Sequence, residues 1–166
     1  QKGPSVLVVE DNPVNQRVAV GMLGKLGCQV TIVGTGSQAL TMLKEVDVDC
    51  IVMDWELPDM DGLAITQNIR ELEQAGSFVH RHAYWHRCHG LASPPVSHVP
   101  IIGMTAHVFS EHGQHCLKSG MDDCLFKPVH LGDFERILKQ WVGFVPRAMD
   151  GTSSKTEDDE VRSETF

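Results

Sequence analysis

Short continuous apolar runs alternate along the chain with stretches whose apolar residues recur every three to four positions. Ser5–Val9 (SVLVV), Gln29–Val33, Asp49–Met53 (DCIVM), Pro100–Met104 (PIIGM) and Cys124–Phe126 are short and bounded by polar residues, so they read as five strands. The first is β-branched and unbroken, the pattern of a strand buried on both faces. The intervening stretches predict helices. Asn12-Pro13 offers an N-cap and a first-turn proline; Val14, Val18, Met22 and Leu26 follow as the expected apolar face, and Gly27 fits the stop. Ser37–Glu45 turns Leu40 and Leu43 inward, and Leu63–Glu73 turns Ile65, Ile69 and Leu72. Ser110–Ser119 is closed by Gly120, and Leu131–Val142 turns Phe134, Ile137, Leu138 and Trp141 inward.

Five alternations of strand and helix predict an α/β fold, a doubly wound five-stranded parallel sheet with helices on both faces. Two segments break the rhythm. Gln74–Val99 is a long insertion containing His80, His82, His86, His89 and His98. Joining the third helix to the fourth strand, it belongs at the pole opposite the strand carboxyl ends. Residues 147–166 are Ser/Thr/Asp/Glu-rich and read as a disordered acidic tail or linker, which leaves 1–146 as the domain.

Composition narrows the picture. The 166 residues carry a formal net charge of −8, with a pI near 5.5, which argues against bulk nucleic-acid or anionic-membrane binding. No apolar run approaches the ~20 residues of a membrane span, and no signal peptide is recognisable, so a cytoplasmic module is expected. The start at Gln1 suggests an excerpt of a longer protein, whose parent could be membrane-anchored. Five scattered cysteines without a CxxC pair read as a reduced chain, with Cys28 and Cys50 as core fillers.

In parallel α/β sheets ligands sit beyond the strand carboxyl ends. There the chain delivers Glu10 and Asp11 (strand 1), Asp54 (strand 3), Thr105 (strand 4) and Lys127 (strand 5). Each acid alone could merely cap the helix that follows. Three crowded carboxylates repel one another unless a cation is present, and hard oxygen donors with open positions suit Mg²⁺. A lysine can neutralise a further anionic group and a threonine hydroxyl can donate to it. The chemistry expected is metal-assisted handling of a phosphoryl group, with one carboxylate as nucleophile.

VLVVEDNPVNQ, MDWELPDMDG, MTA and LFKP, in that order and on those elements, resemble the receiver domain of two-component response regulators over about residues 5–142, the insertion excepted. EDNPVNQ and GMDDCLFKPV look most like receivers within hybrid sensor histidine kinases of the unorthodox, virulence-sensor type. The resemblance implies the sheet order 2-1-3-4-5. It implies Asp54 as phosphoacceptor from a phosphohistidine, and Glu10, Asp11, Asp54 and the backbone carbonyl of Glu56 as Mg²⁺ ligands. Lys127 would pair with phosphoryl oxygens, Thr105 would hydrogen-bond them, and Ala106 would leave room. Glu56 and His107 would tune the lifetime of the modification, and Lys127-Pro128 would be cis. Implied partners are a histidine kinase phosphodonor domain and a histidine phosphotransfer domain, with a further partner face on the fourth helix, fifth strand and fifth helix. The family usually has Tyr or Phe where this chain has Cys124, an aromatic that swings inward as the threonine moves. A stand-alone single-domain response regulator and an Asp-nucleophile phosphatase of the haloacid-dehalogenase kind are the alternatives.

Two further signals stand beside plainer readings. Gly34-Thr-Gly36-Ser-Gln-Ala39 imitates a dinucleotide fingerprint, but it follows strand 2 where the fingerprint belongs on the first strand, so a tight turn with close helix packing is expected. In the insertion, His82 and His86 would share a helix face and could join Cys88 around zinc; a solvated loop or helix extension is the plainer reading. Tyr84 and Trp85 could instead mark a partner contact. No kinase H-box or phosphotransfer motif accompanies the nine histidines.

Overall fold

The computed structural model describes residues 2–146 except 79, 81, 82, 91, 93, 95 and 107–109, with backbone alone at 110–113. The expectations for His82, His107 and the tail 147–166 fall outside the described residues.

The elements run β1 (Ser5–Val9), α1 (Pro13–Lys25), β2 (Gln29–Val33), α2 (Gly36–Glu45), β3 (Cys50–Asp54), α3 (Gly62–Gln74), α4 (Ala83–His89), β4 (Ile101–Thr105), α5 (Ser110–Lys118), β5 (Asp123–Phe126) and α6 (Leu131–Ile137). The five strands form one sheet in the order β2-β1-β3-β4-β5, every neighbouring pair parallel. β1, β3 and β4 are covered on both sides, as their unbroken apolar runs require. One face of the sheet packs on Ala19 and Leu23 of α1 and on Phe134 and Ile137 of α6. The other packs on Ala39 and Leu43 of α2, Ile65 and Ile69 of α3, and Cys116 of α5.

Three local expectations change. In α1 the residues facing the core are Ala19, Leu23 and Leu26, whereas Val14 and Val18 are exposed at 64% and 47%. Four-residue spacing overshoots the helical turn by about 40° per step. A run of four such positions therefore winds about a third of the way round the helix and cannot share one face. The last helical stretch is not uniform: α6 passes at Leu138 into a single π-helical turn, Leu138–Val142, which ends at Gly143 with φ 71°.

The third change concerns the insertion, which is neither a solvated loop nor a simple extension of α3. It contributes α4, and α4 is docked. Tyr84 is buried and meets the Phe144 ring edge-on, with centroids 5.3 Å apart. Trp85 lies over Gly143, where a Cβ would come within 2.3 Å of its ring, and stacks on His89 at 3.9 Å. The carboxylate of Asp49, just ahead of β3, accepts from the backbone N–H of Tyr84 at 2.9 Å and from that of Ser5 at 2.8 Å. These contacts put α4 at the amino pole of the sheet, as the topology requires.

Candidate functional site

Parallel strands bring their carboxyl ends to the opposite pole. β1 hands on Glu10, whose N–H continues the ladder to the Val33 carbonyl at 3.0 Å, and then Asp11. Asn12 caps α1, its side-chain oxygen accepting from the N–H of Val14 at 2.9 Å. Asp54 is the last residue of β3 and Thr105 the last of β4. Lys127 follows β5, and its N–H donates to the Thr105 carbonyl at 2.8 Å. The Lys127-Pro128 peptide is cis, as expected.

The five residues predicted from the sequence converge on one cleft of about 400 Å³, which Asn15, Trp55, Glu56, Leu57, Pro58 and Ala106 help to line. The Lys127 ammonium donates to Asp54 Oδ2 at 2.7 Å and to Glu10 Oε2 at 3.4 Å. Glu10 Oε1 accepts from the Asn12 N–H at 3.0 Å, and Asp54 Oδ1 accepts from the Glu56 N–H at 3.2 Å. Glu10, Asp54 and Thr105 are buried, whereas Asp11 faces water.

Carboxylate oxygens of Glu10, Asp11 and Asp54 lie within 4.8 Å of one another. Two unit charges that far apart repel by about 3.5 kcal/mol at an effective dielectric of about 20. The strain is visible at Glu10: burial, with the Asp54 charge adding to it, holds its pKa above the ordinary glutamate value despite the Asn12 N–H and Lys127. Burial alone would lower the pKa of Lys127, but the hydrogen bond and charge of Asp54, then Glu10, carry it above the usual lysine value. With the three clustered acids ionised and Lys127 charged, the cluster carries a net charge of −2, and the exposed Glu56 on the cleft lining adds to it. That is the balance a divalent cation with hard oxygen preference neutralises. Among the described residues this is the group of three or more His, Cys, Asp or Glu side chains close enough to share an ion; the zinc set suggested for the insertion includes His82, which lies outside the described residues.

Gln16 and Asp59, to which the sequence pattern gives no role, brace the loops around this site. Gln16 Nε2 donates to the Glu10 carbonyl at 2.6 Å, fixing the acidic turn from within α1. Asp59 caps α2 from a distance: its carboxylate accepts from the N–H groups of Gly36 and Ser37, each at 2.9 Å, and from Ser37 Oγ at 2.7 Å. A pyrophosphate bound at Gly34–Ala39 would need those same donors, so the fingerprint-like segment is a capped turn. Gly36 also lies against Ile65, which a Cβ would approach to 2.6 Å, the close helix packing expected there.

A doubly wound sheet in this order, with a lysine bridging two carboxylates at its carboxyl pole, defines a flavodoxin-like domain built to hold a cation and an anionic group side by side. The response regulator receiver domain family matches residues 6–80. The chain is 37% identical to the receiver domain of a sensor histidine kinase from Pseudomonas aeruginosa, crystallised with a magnesium ion coordinated in its active-site cleft. That likeness covers 86% of this chain and 99% of that one, with a TM-score of 0.65. The receiver domain of the response regulator Ssk1 of Saccharomyces cerevisiae, crystallised with the histidine phosphotransfer protein Ypd1, is 26% identical with a TM-score of 0.70, over 90% of this chain and 95% of that one. Sensor histidine kinase RcsC of Escherichia coli is 35% identical over 145 residues, which are 87% of this chain and 13% of that protein. The chain belongs to the response regulator receiver domain family, the phosphoacceptor modules of two-component phosphorelays. It spans about an eighth of the length of that curated relative.

Proposed function

We propose that the chain accepts a phosphoryl group from a phosphohistidine onto Asp54, within a larger sensor histidine kinase, and passes it to a histidine phosphotransfer domain. The observation that carries this is the Lys127 ammonium bridging Asp54 and Glu10 at the strand ends. Asp54 Oδ attacks phosphorus, the P–N bond breaks, and the imidazole leaves with the bonding pair and takes up a proton from water. The Lys127 ammonium exchanges its contact with Asp54 for the phosphoryl oxygens, the Thr105 hydroxyl donates to them, and the small side chain of Ala106 leaves them space. Glu10, Asp11, Asp54 and the Glu56 carbonyl would hold Mg²⁺, which when bound neutralises the charge gathered on the phosphoryl oxygens.

Asp54 lies at the floor of the cleft, so a phosphohistidine that reaches it is presented on a partner seated over the cleft rim. Val14 and Val18, exposed on successive turns of α1 beside Asn15, give that rim an apolar shoulder. Exposed Leu117, Phe126 and Leu131 support a second partner face on α5, β5 and α6. The domain is taken as 1–146 with its insertion over 74–99. Among the described residues no helix is long and apolar enough to cross a membrane; a cytoplasmic location belongs to this proposal.

Intact-mass analysis after incubation with phosphoramidate or acetyl phosphate tests the reading. A single Mg²⁺-dependent phosphoryl adduct, absent from Asp54→Asn, is the expected result. An adduct that survives in Asp54→Asn, or none from a cognate phosphohistidine donor, overturns it.

A further inference from the structure

β4 and β5 pair so that Gly103 stands beside Cys124. Gly103 has no side chain, and the space above it is taken by sulfur. A Cβ there would come within 2.8 Å of Met121 Sδ and 3.6 Å of Cys116 Sγ. Cys116 enters from the last turn of α5 and Cys124 from β5, and their sulfurs stand 3.3 Å apart. A disulfide needs about 2.05 Å, so the two atoms are about 1.3 Å from bonding distance.

We propose that Cys116 and Cys124 form a reversible oxidation site, converted by hydrogen peroxide into a disulfide that ties α5 to β5. The hydrogen bond that Cys124 donates keeps its own thiol protonated and lowers that of Cys116, so Cys116, screened by the half-buried Cys124, reacts with the oxidant first. The Cys116 sulfur attacks one peroxide oxygen, the O–O bond breaks, and water leaves, giving a sulfenic acid. The Cys124 sulfur then attacks the Cys116 sulfur, the S–O bond breaks, and a second water leaves with the Cys124 proton. The sum is two thiols and one peroxide giving one disulfide and two waters.

The other cysteines are placed to stay out of this reaction. Burial pushes the Cys28 thiol up to about 12 and holds that of Cys50 well above its ordinary value, so both remain protonated and inert. Cys88 is exposed at the far pole on α4. Cys116, by contrast, is lowered by the hydrogen bond from Cys124, which makes it the better nucleophile for the first step. Cys124 also stands where the receiver family usually has its switch aromatic, so the bond would fasten the strand position at which that movement occurs. The chemistry does not depend on phosphoryl transfer.

The test treats the folded chain with graded hydrogen peroxide, blocks remaining thiols under denaturing conditions and maps peptides by mass. Expected is a Cys116–Cys124 cross-link, reversed by dithiothreitol, formed at lower peroxide than is needed to oxidise Cys88. Cys116→Ser and Cys124→Ser, checked for folding by circular dichroism, should each lose it, and Cys88→Ser should keep it. Oxidation of Cys88 with Cys116 and Cys124 left free, or a cross-link mapping to Cys28–Cys50, overturns the proposal. Because the wild-type map decides between these outcomes, a variant that fails to fold does not obscure the result.

Discussion

The carboxylate of Asp49 receives the backbone N–H of Tyr84 at 2.9 Å, and this one bond fastens the insertion to the root of β3. Its other oxygen receives the N–H of Ser5, so a single buried side chain joins β1, β3 and α4. Tyr84 fills the core beside Phe144, and burial, together with the neighbouring Cys88, raises its hydroxyl pKa to about 12. Tyr84→Ala should therefore lower unfolding free energy by about 3 kcal/mol, in the range of buried aromatic truncations. Tyr84→Phe should cost less than about 1 kcal/mol. Urea unfolding of the three proteins measures both, and a near-neutral Tyr84→Ala would show that α4 is not part of the cooperative unit.

Removing Lys127 takes the one positive charge away from the clustered acids Glu10, Asp11 and Asp54. Lys127→Met should therefore bind Mg²⁺ more tightly, by about tenfold at low salt and less as ionic strength rises. Asp11→Asn should bind it at least about tenfold more weakly. Trp55 lines the same cleft, so tryptophan fluorescence titration reads both. Weaker binding by Lys127→Met would mean that the lysine orders the acids rather than competing with the ion.

Glu10 titrates above its unfolded value because burial disfavours its charge. Its contribution to stability is present below about pH 4.5 and is lost as pH rises through the folded pKa. Glu10→Gln should thus melt higher than the parent at pH 7 in EDTA, with the gap closing at pH 4, while losing Mg²⁺ binding. Equal melting temperatures at both pH values would contradict this.

Asp59 works in the other direction. Burial pushes its pKa up slightly, but the Ser37 and Gly36 donors outweigh it and bring it down to about 2. The stability it contributes is present above the unfolded value of 3.8 and is lost as pH falls towards 2. Asp59→Ala should cost on the order of 1 kcal/mol at pH 7, as the loss of a helix cap does. Against the parent, that difference should shrink as pH falls below 3.8 and be smallest at the acid end of the range. Thermal melts between pH 2 and pH 7 check it.

The sheet and the cleft were legible because they depend on short-range pattern. Ser5–Val9 and Pro100–Met104 can only be buried strands, and the acids, threonine and lysine follow their strands by one or two residues. Topology then gathers them without further information. What stayed hidden depends on contacts across the chain. Nothing near Asp59 marks it as the cap of a helix that begins 23 residues earlier. Tyr84 and Trp85 were noticed as aromatics, but only the surface formed by Val142, Gly143 and Phe144 explains why α4 docks. Cys116 and Cys124 are eight positions apart, with no helical or strand period linking them; Gly103 on a third element makes the room in which they meet.

The docking of α4 bears on how such a domain can diverge. Its anchors, Asp49, Gly143 and Phe144, share no residue with the lining of the Asp54 cleft. Mutations can therefore accumulate around α4, redrawing the contour of the amino pole, while the end that carries Asp54 stays under a separate constraint.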